Sequence, residues 1–103
     1  MLTEKDYCDY KLVLELKELG YDYTRREGLI HLYDAQKWLR GEKKIDIFVR
    51  AGYLGKNRVR HYYVEVFTSK DVIYLDNDRE DYDSYEEALL EGIKESVKLL
   101  KEE

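Results

Sequence analysis

Residues 44–75 constrain the fold more tightly than any other stretch of the chain. Ile45, Ile47 and Val49 alternate with Asp46, Phe48 and Arg50 at a period of two, the spacing of a half-buried strand. Residues 60–68 (Arg60, His61, Tyr62, Tyr63, Val64, Glu65, Val66, Phe67, Thr68) alternate in the same way and are rich in β-branched and aromatic side chains. Between them Gly52, Gly55 and Asn57 are expected to supply the reversal. A polar break at residues 69–71 precedes a third apolar run, Val72, Ile73, Tyr74 and Leu75. Three antiparallel strands follow from this pattern. Ile45, Ile47 and Val49 share one face with Tyr62, Val64 and Val66, while Phe48, Arg50, Tyr63, Glu65 and Phe67 share the other. The second face is too apolar for plain solvent exposure, so another part of the chain or a partner is expected to cover it.

The flanking sequence reads as helix. Over residues 4–19, Cys8, Leu12, Leu16 and Leu19 form one stripe at helical spacing, with Thr3 as the expected N-cap and Gly20 as the residue that ends the helix. Residues 21–28 form a polar connection carrying Arg25 and Arg26. A second helix is expected over 32–40, with Leu32, Ala35, Trp38 and Leu39 inward, Trp38 clamping it to the sheet, and Gly41 closing it. Ser84, with Glu87 three residues on, has the form of a capping box and opens a last helix whose inward stripe is Leu89, Ile93, Val97 and Leu100. Gly92 lies beside that stripe, where it allows close approach to the sheet. The expectation is one two-layer α+β domain over residues 1–103: two helices, a three-stranded antiparallel sheet, and a final helix. Double-stranded-RNA-binding domains use a related order, but Asp83, Glu86 and Glu87 at the start of the last helix would repel a phosphate backbone.

Three segments carry a resemblance. These are residues 14–21 (Leu-Glu-Leu-Lys-Glu-Leu-Gly-Tyr), residues 32–40 around Ala35, Gln36, Lys37, Trp38, Leu39 and Arg40, and residues 83–100 opening Asp-Ser-Tyr-Glu-Glu-Ala. In these the chain resembles small uncharacterised proteins of Bacteroidetes genomes and their phage or prophage regions. The resemblance implies a fold and a genomic setting, and it transfers no catalytic residue.

Composition narrows the function classes. A net charge of −5, with no uniformly basic face, argues against a general nucleic-acid binder. The single cysteine, Cys8, excludes an intrachain disulfide and sits in an apolar stripe, as a reduced core thiol does. No apolar run approaches a membrane span and no signal-peptide pattern follows Met1, so a cytoplasmic protein is expected. The acidic segment 76–83, continued to Glu87, partly matches a calcium loop, but the glycine such a loop needs is Asp81 and Arg79 adds an opposing charge. His31 and His61 lack the companions of a zinc site, and no nucleophile stands beside a base. The sequence therefore implies no cofactor, no metal and no enzyme.

Eleven tyrosines exceed what one core of this size requires, and a tyrosine covers an apolar surface while keeping its hydroxyl wet. The first expectation is an interaction module whose sheet face, with Phe48, Tyr53, Tyr63, Phe67 and Tyr74 as contacts, meets a protein partner or a second copy. The alternative is single-stranded nucleic acid bound by the basic hairpin around residues 56–60, through Lys56, Arg58 and Arg60 interleaved with tyrosines.

Overall fold

The computed structural model describes residues 6–21, 30–56, 58–75 and 82–102. Among them the order is α1 (Tyr10–Glu18), α2 (Leu32–Glu42), β1 (Asp46–Leu54), β2 (Val59–Phe67), β3 (Val72–Leu75) and α3 (Tyr85–Lys101). This is an α+β arrangement with an open antiparallel sheet of order β1-β2-β3. The register pairs Ile47 with Val66, Val49 with Val64 and Phe48 with Glu65, then Val66 with Ile73 and Glu65 with Tyr74. The alternation read from the sequence is thus the alternation of the two faces.

α3 sits across the aliphatic face. Ser84 accepts a hydrogen bond from the Glu87 N–H at 3.1 Å, which starts the helix in the expected phase. Leu89, Ile93 and Val97 are buried together with Ile47, Val64 and Val66. At Gly92 the helix comes so close that a Cβ would lie 2.7 Å from Ile47 Cγ2 and 2.9 Å from Val64 Cγ2. Ser96 Oγ donates to the Gly92 carbonyl at 2.8 Å, so its buried hydroxyl is satisfied within the helix. α1 packs on α3, with Leu12, Val13 and Leu16 buried. It ends as expected at Gly20, whose φ of +104° lets the Tyr21 N–H donate back to the Leu16 carbonyl.

Several boundaries differ from the sequence pattern. α1 begins at Tyr10, and its N-cap is Asp9, which accepts from the Leu12 N–H at 2.9 Å. Cys8 therefore lies ahead of the helix. It is buried because its N–H donates to the Ile30 carbonyl, beside a bridge between Tyr7 and His31 that holds this segment extended. Thr3 lies outside the described residues, as do Arg25, Arg26, Asn57 and residues 76–81.

Gly41 does not close α2; it lies inside the helix, which ends at Glu42 with Lys43 as its C-cap and Lys44 at φ +58°. Trp38 is half-buried and meets the Tyr21 ring edge-on at 5.4 Å, with the Lys43 ammonium over its face. α2 is held instead by buried Leu32, Ala35 and Leu39 and by a 2.9 Å hydrogen bond from Gln36 to the Ile47 carbonyl of β1. Gly52 is a strand residue opposite His61, so β1 continues to Leu54, and the reversal takes positive φ at Gly55 and Arg58.

Gly92→Ala is expected to destabilise the protein by about 1–3 kcal/mol. The ~1 kcal/mol that alanine gains in helix propensity is outweighed because the methyls it meets belong to β-branched, stiff side chains. Urea denaturation measures this, and a variant more stable than the parent contradicts the close seating of α3. Ile93→Ala, emptying a fully buried site, is expected to cost about 2–5 kcal/mol in the same assay.

Candidate functional site: the open sheet face

The face opposite α3 carries Phe48 and Arg50 from β1, Tyr63, Glu65 and Phe67 from β2, and Val72 and Tyr74 from β3. No described helix packs on it. Phe48 is 47% exposed and Tyr74 66%, while Tyr63 and Phe67 are half-buried. The Phe48 and Phe67 rings meet edge-on at 5.3 Å. Glu65 stands at the centre, with Phe48 and Tyr74 opposite it on the neighbouring strands and Tyr63 and Phe67 two residues away along its own. Although it lies on the uncovered face, Glu65 is only 7% exposed. Arg50 reaches over it, and its Nε lies 3.0 Å from Glu65 Oε1. The result is an apolar rim around a carboxylate already paired with a half-exposed guanidinium. Such a surface presents aromatic area for burial and an arginine with further donors for a partner's acceptor.

Of the residues expected on this face, Phe48, Tyr63, Phe67 and Tyr74 are brought together and Tyr53 is not. Tyr53 pairs with Arg60, and its parity places it on the same side as Val49 and Val64, beyond the helices at the hairpin tip. There Arg58 lies 5.2 Å over the Tyr53 ring, and Arg60 lies 5.1 Å over Tyr62. Lys56 is exposed at the same tip. The basic hairpin therefore exists as a set of arginines folded onto tyrosines of their own chain.

One aromatic arrangement has no counterpart in the sequence pattern. His31 stacks on Tyr33 at 5.1 Å, Tyr7 meets His31 edge-on at 5.5 Å, Tyr33 lies 6.3 Å from Tyr85, and Tyr85 lies 6.2 Å from Tyr62. This row links the segment before α1 to the starts of α2 and α3 and to β2, and it accounts for four of the tyrosines as packing between elements. The histidine of this row is also a cap: His31 Nδ1 accepts the Tyr33 N–H at 3.1 Å at the start of α2. Loss of hydration, with Tyr85, Glu86 and Asp6 nearby, holds the Tyr33 hydroxyl above the ordinary phenol range.

Catalytic and metal chemistry find no assembled group among the described residues. No cluster of three histidine, cysteine or acidic side chains is placed to hold a metal there. Burial, reinforced by the adjacent Asp9 carboxylate, pushes the Cys8 thiol up to about 12, the opposite of what activates a nucleophile. A groove between the end of α2, the β2–β3 turn and the end of α3 is lined by Lys44, Thr68 and Asp71 over Ile73 and Leu99. Two of its polar side chains are bound to their own chain: Lys44 Nζ donates to the Gly41 carbonyl, and Thr68 Oγ1 accepts the Asp71 N–H. No described helix is long and apolar enough to cross a membrane. Comparison of the chain with protein-family models, curated proteins and solved structures gives no match.

Removing Arg50 leaves Glu65 a shielded carboxylate without its cation, so Arg50→Met is expected to cost about 1–3 kcal/mol in urea denaturation. The double variant Arg50→Met/Glu65→Leu should recover most of it, since no charge then remains to be satisfied. Equal stability of Arg50→Met and parent contradicts the pairing. For Cys8, alkylation at pH 8 is expected to be slower on the folded protein than in urea by on the order of 100-fold. Because the folded thiol titrates near 12 and a free one near 9, this group's contribution to stability is complete below pH 9 and is lost as the pH rises toward 12. Equal alkylation rates with and without urea contradict the buried position.

Proposed function

We propose that the chain is a non-enzymatic interaction module that takes a protein partner on the open sheet face. The observation that carries this reading is the exposure of Phe48 and Tyr74 on either side of the shielded Glu65 carboxylate and its Arg50 partner. Large aromatics around a shielded carboxylate and its arginine partner suit an interface centre, where rings supply buried area and the paired charges supply orientation. The arrangement costs the free protein solubility, which a face used only for folding would not need to bear.

A second reading, single-stranded nucleic acid bound at the hairpin tip, draws on Lys56, Arg58 and Arg60 beside Tyr53 and Tyr62. Both arginines are stacked within the chain, and the net charge of −5 opposes it.

The two readings separate in one experiment. Immobilised protein is exposed to extract of the source cells, alongside Phe48→Ser/Tyr74→Ser and a variant with Lys56, Arg58 and Arg60 changed to Gln. The expected result is a set of proteins retained by the parent and the hairpin variant and lost at least ~10-fold with the face variant, whose thermal midpoint matches the parent. Retention that nuclease abolishes, and that only the hairpin variant loses, overturns the first reading in favour of the second.

A further inference from the structure

β1 is an edge strand that, past the Ile47 carbonyl capped by Gln36, carries neither a bulge nor a proline to keep such edges apart. Its register with β2 runs pair for pair from Asp46–Phe67 to Leu54–Val59 without a bulge, and the chain contains no proline. In an antiparallel pair, alternate residues point their N–H and C=O groups away from the neighbouring strand. In β1 these are Ile47, Val49, Ala51 and Tyr53, as the Gln36 bond to the outer Ile47 carbonyl shows. Beyond that one capped carbonyl, the outer groups of Val49, Ala51 and Tyr53 have no partner among the described residues. Ala51, at the middle of this stretch, is exposed.

We propose that this edge pairs with β1 of a second copy of the chain, antiparallel about a two-fold axis through Ala51, to give a six-stranded sheet. The occupant follows from the register. With Ala51 opposite the partner's Ala51, Val49 faces the partner's Tyr53, a favourable β-branched–aromatic pair. Arg50 faces the partner's Gly52, which leaves its guanidinium on Glu65. Asp46, which has no ion-pair partner among the described residues, comes level with the partner's Lys56, which has none either. The pairing ends where Gln36 closes the edge at Ile47, opposite the partner's Gly55, one residue past the end of its strand.

Neighbouring registers are worse. A shift toward the start of β1 sets Arg50 against the partner's Arg50 and drives the partner onto the capped Ile47. The opposite shift shortens the paired stretch toward the turn. The chosen register forms about six interstrand hydrogen bonds, and because its axis is normal to the sheet, the two open faces lie side by side on one surface.

The test is mass in solution. Light scattering after gel filtration at about 100 µM is expected to give a species of about 25 kDa, twice the 12.5 kDa chain. Ala51→Pro removes only an outward N–H, so it should yield a folded monomer by circular dichroism. Asp46→Lys, which places two lysines together, should weaken dimerisation at least ~10-fold, and Asp46→Lys/Lys56→Asp should restore it. A parent that stays at 12.5 kDa overturns the proposal, as does a folded Ala51→Pro dimer. If Ala51→Pro does not fold, an Asp46→Lys dimer of unchanged affinity overturns it. The proposal stands apart from the function of the open face: Phe48→Ser/Tyr74→Ser should leave the dimer intact, and loss of the dimer in that variant alone assigns self-association to the face instead.

Discussion

The contact of Gly92 with Ile47 and Val64 is the constraint on which the remaining structure depends. It brings the α3 backbone down onto the sheet, so Leu89 and Ile93 reach the strands from either side of the glycine and the aliphatic face is sealed. With α3 fixed there, α1 packs on α3, and α2 takes the β1 side of the sheet through Gln36 and Ile47. The described helices are thereby committed to one side. Ion pairs between Lys94 and Asp9 and between Lys101 and Glu15 join α1 to α3 at the surface, but solvent-exposed pairs of this kind add little compared with the buried aliphatic rows.

That commitment creates the candidate site. A three-stranded sheet has two faces, and satisfying one with helices leaves the aromatics of the other in water. Glu65 would be unremarkable in a solvated strand. Here it is surrounded by Phe48, Tyr63, Phe67 and Tyr74 and shielded to 7% exposure, which makes the Arg50 contact necessary rather than incidental. The same architecture leaves β1 with one edge unpaired beyond Ile47, so the open face and the open edge share a single cause.

The sequence was informative wherever a signal was local and periodic. Alternation in residues 45–50 and 60–68 sorted the side chains onto the correct faces, and Ser84 with Glu87 set the phase of α3. It was uninformative where a distant contact decided between two local options. Thr3 and Asp9 are both acceptable caps, and the pairing of Tyr7 with His31 pulls the chain straight, so that Asp9 caps a helix starting at Tyr10. Gly41 resembles a helix stop but continues the helix, because Ile45 donates back to the Leu39 carbonyl only after Lys44 has turned. Tyr53 falls off the predicted face for a reason the sequence did contain: β1 runs unbroken past Gly52, and counting by two from Phe48 reaches Gly52 and misses Tyr53. The row from Tyr7 through His31, Tyr33 and Tyr85 to Tyr62 joins residues far apart in the chain, and no spacing rule reports such contacts.

The central claim is that the helices occupy one face of the sheet and leave the aromatic face bare. Hydroxyl-radical footprinting of the dilute protein, read residue by residue by mass spectrometry, tests it most directly. Phe48 and Tyr74 should be oxidised at rates near those in the urea-unfolded chain, while Tyr82, 7% exposed, is strongly protected. Protection of Phe48 and Tyr74 to the level of Tyr82 would show that the face is covered within the monomer and would contradict the account.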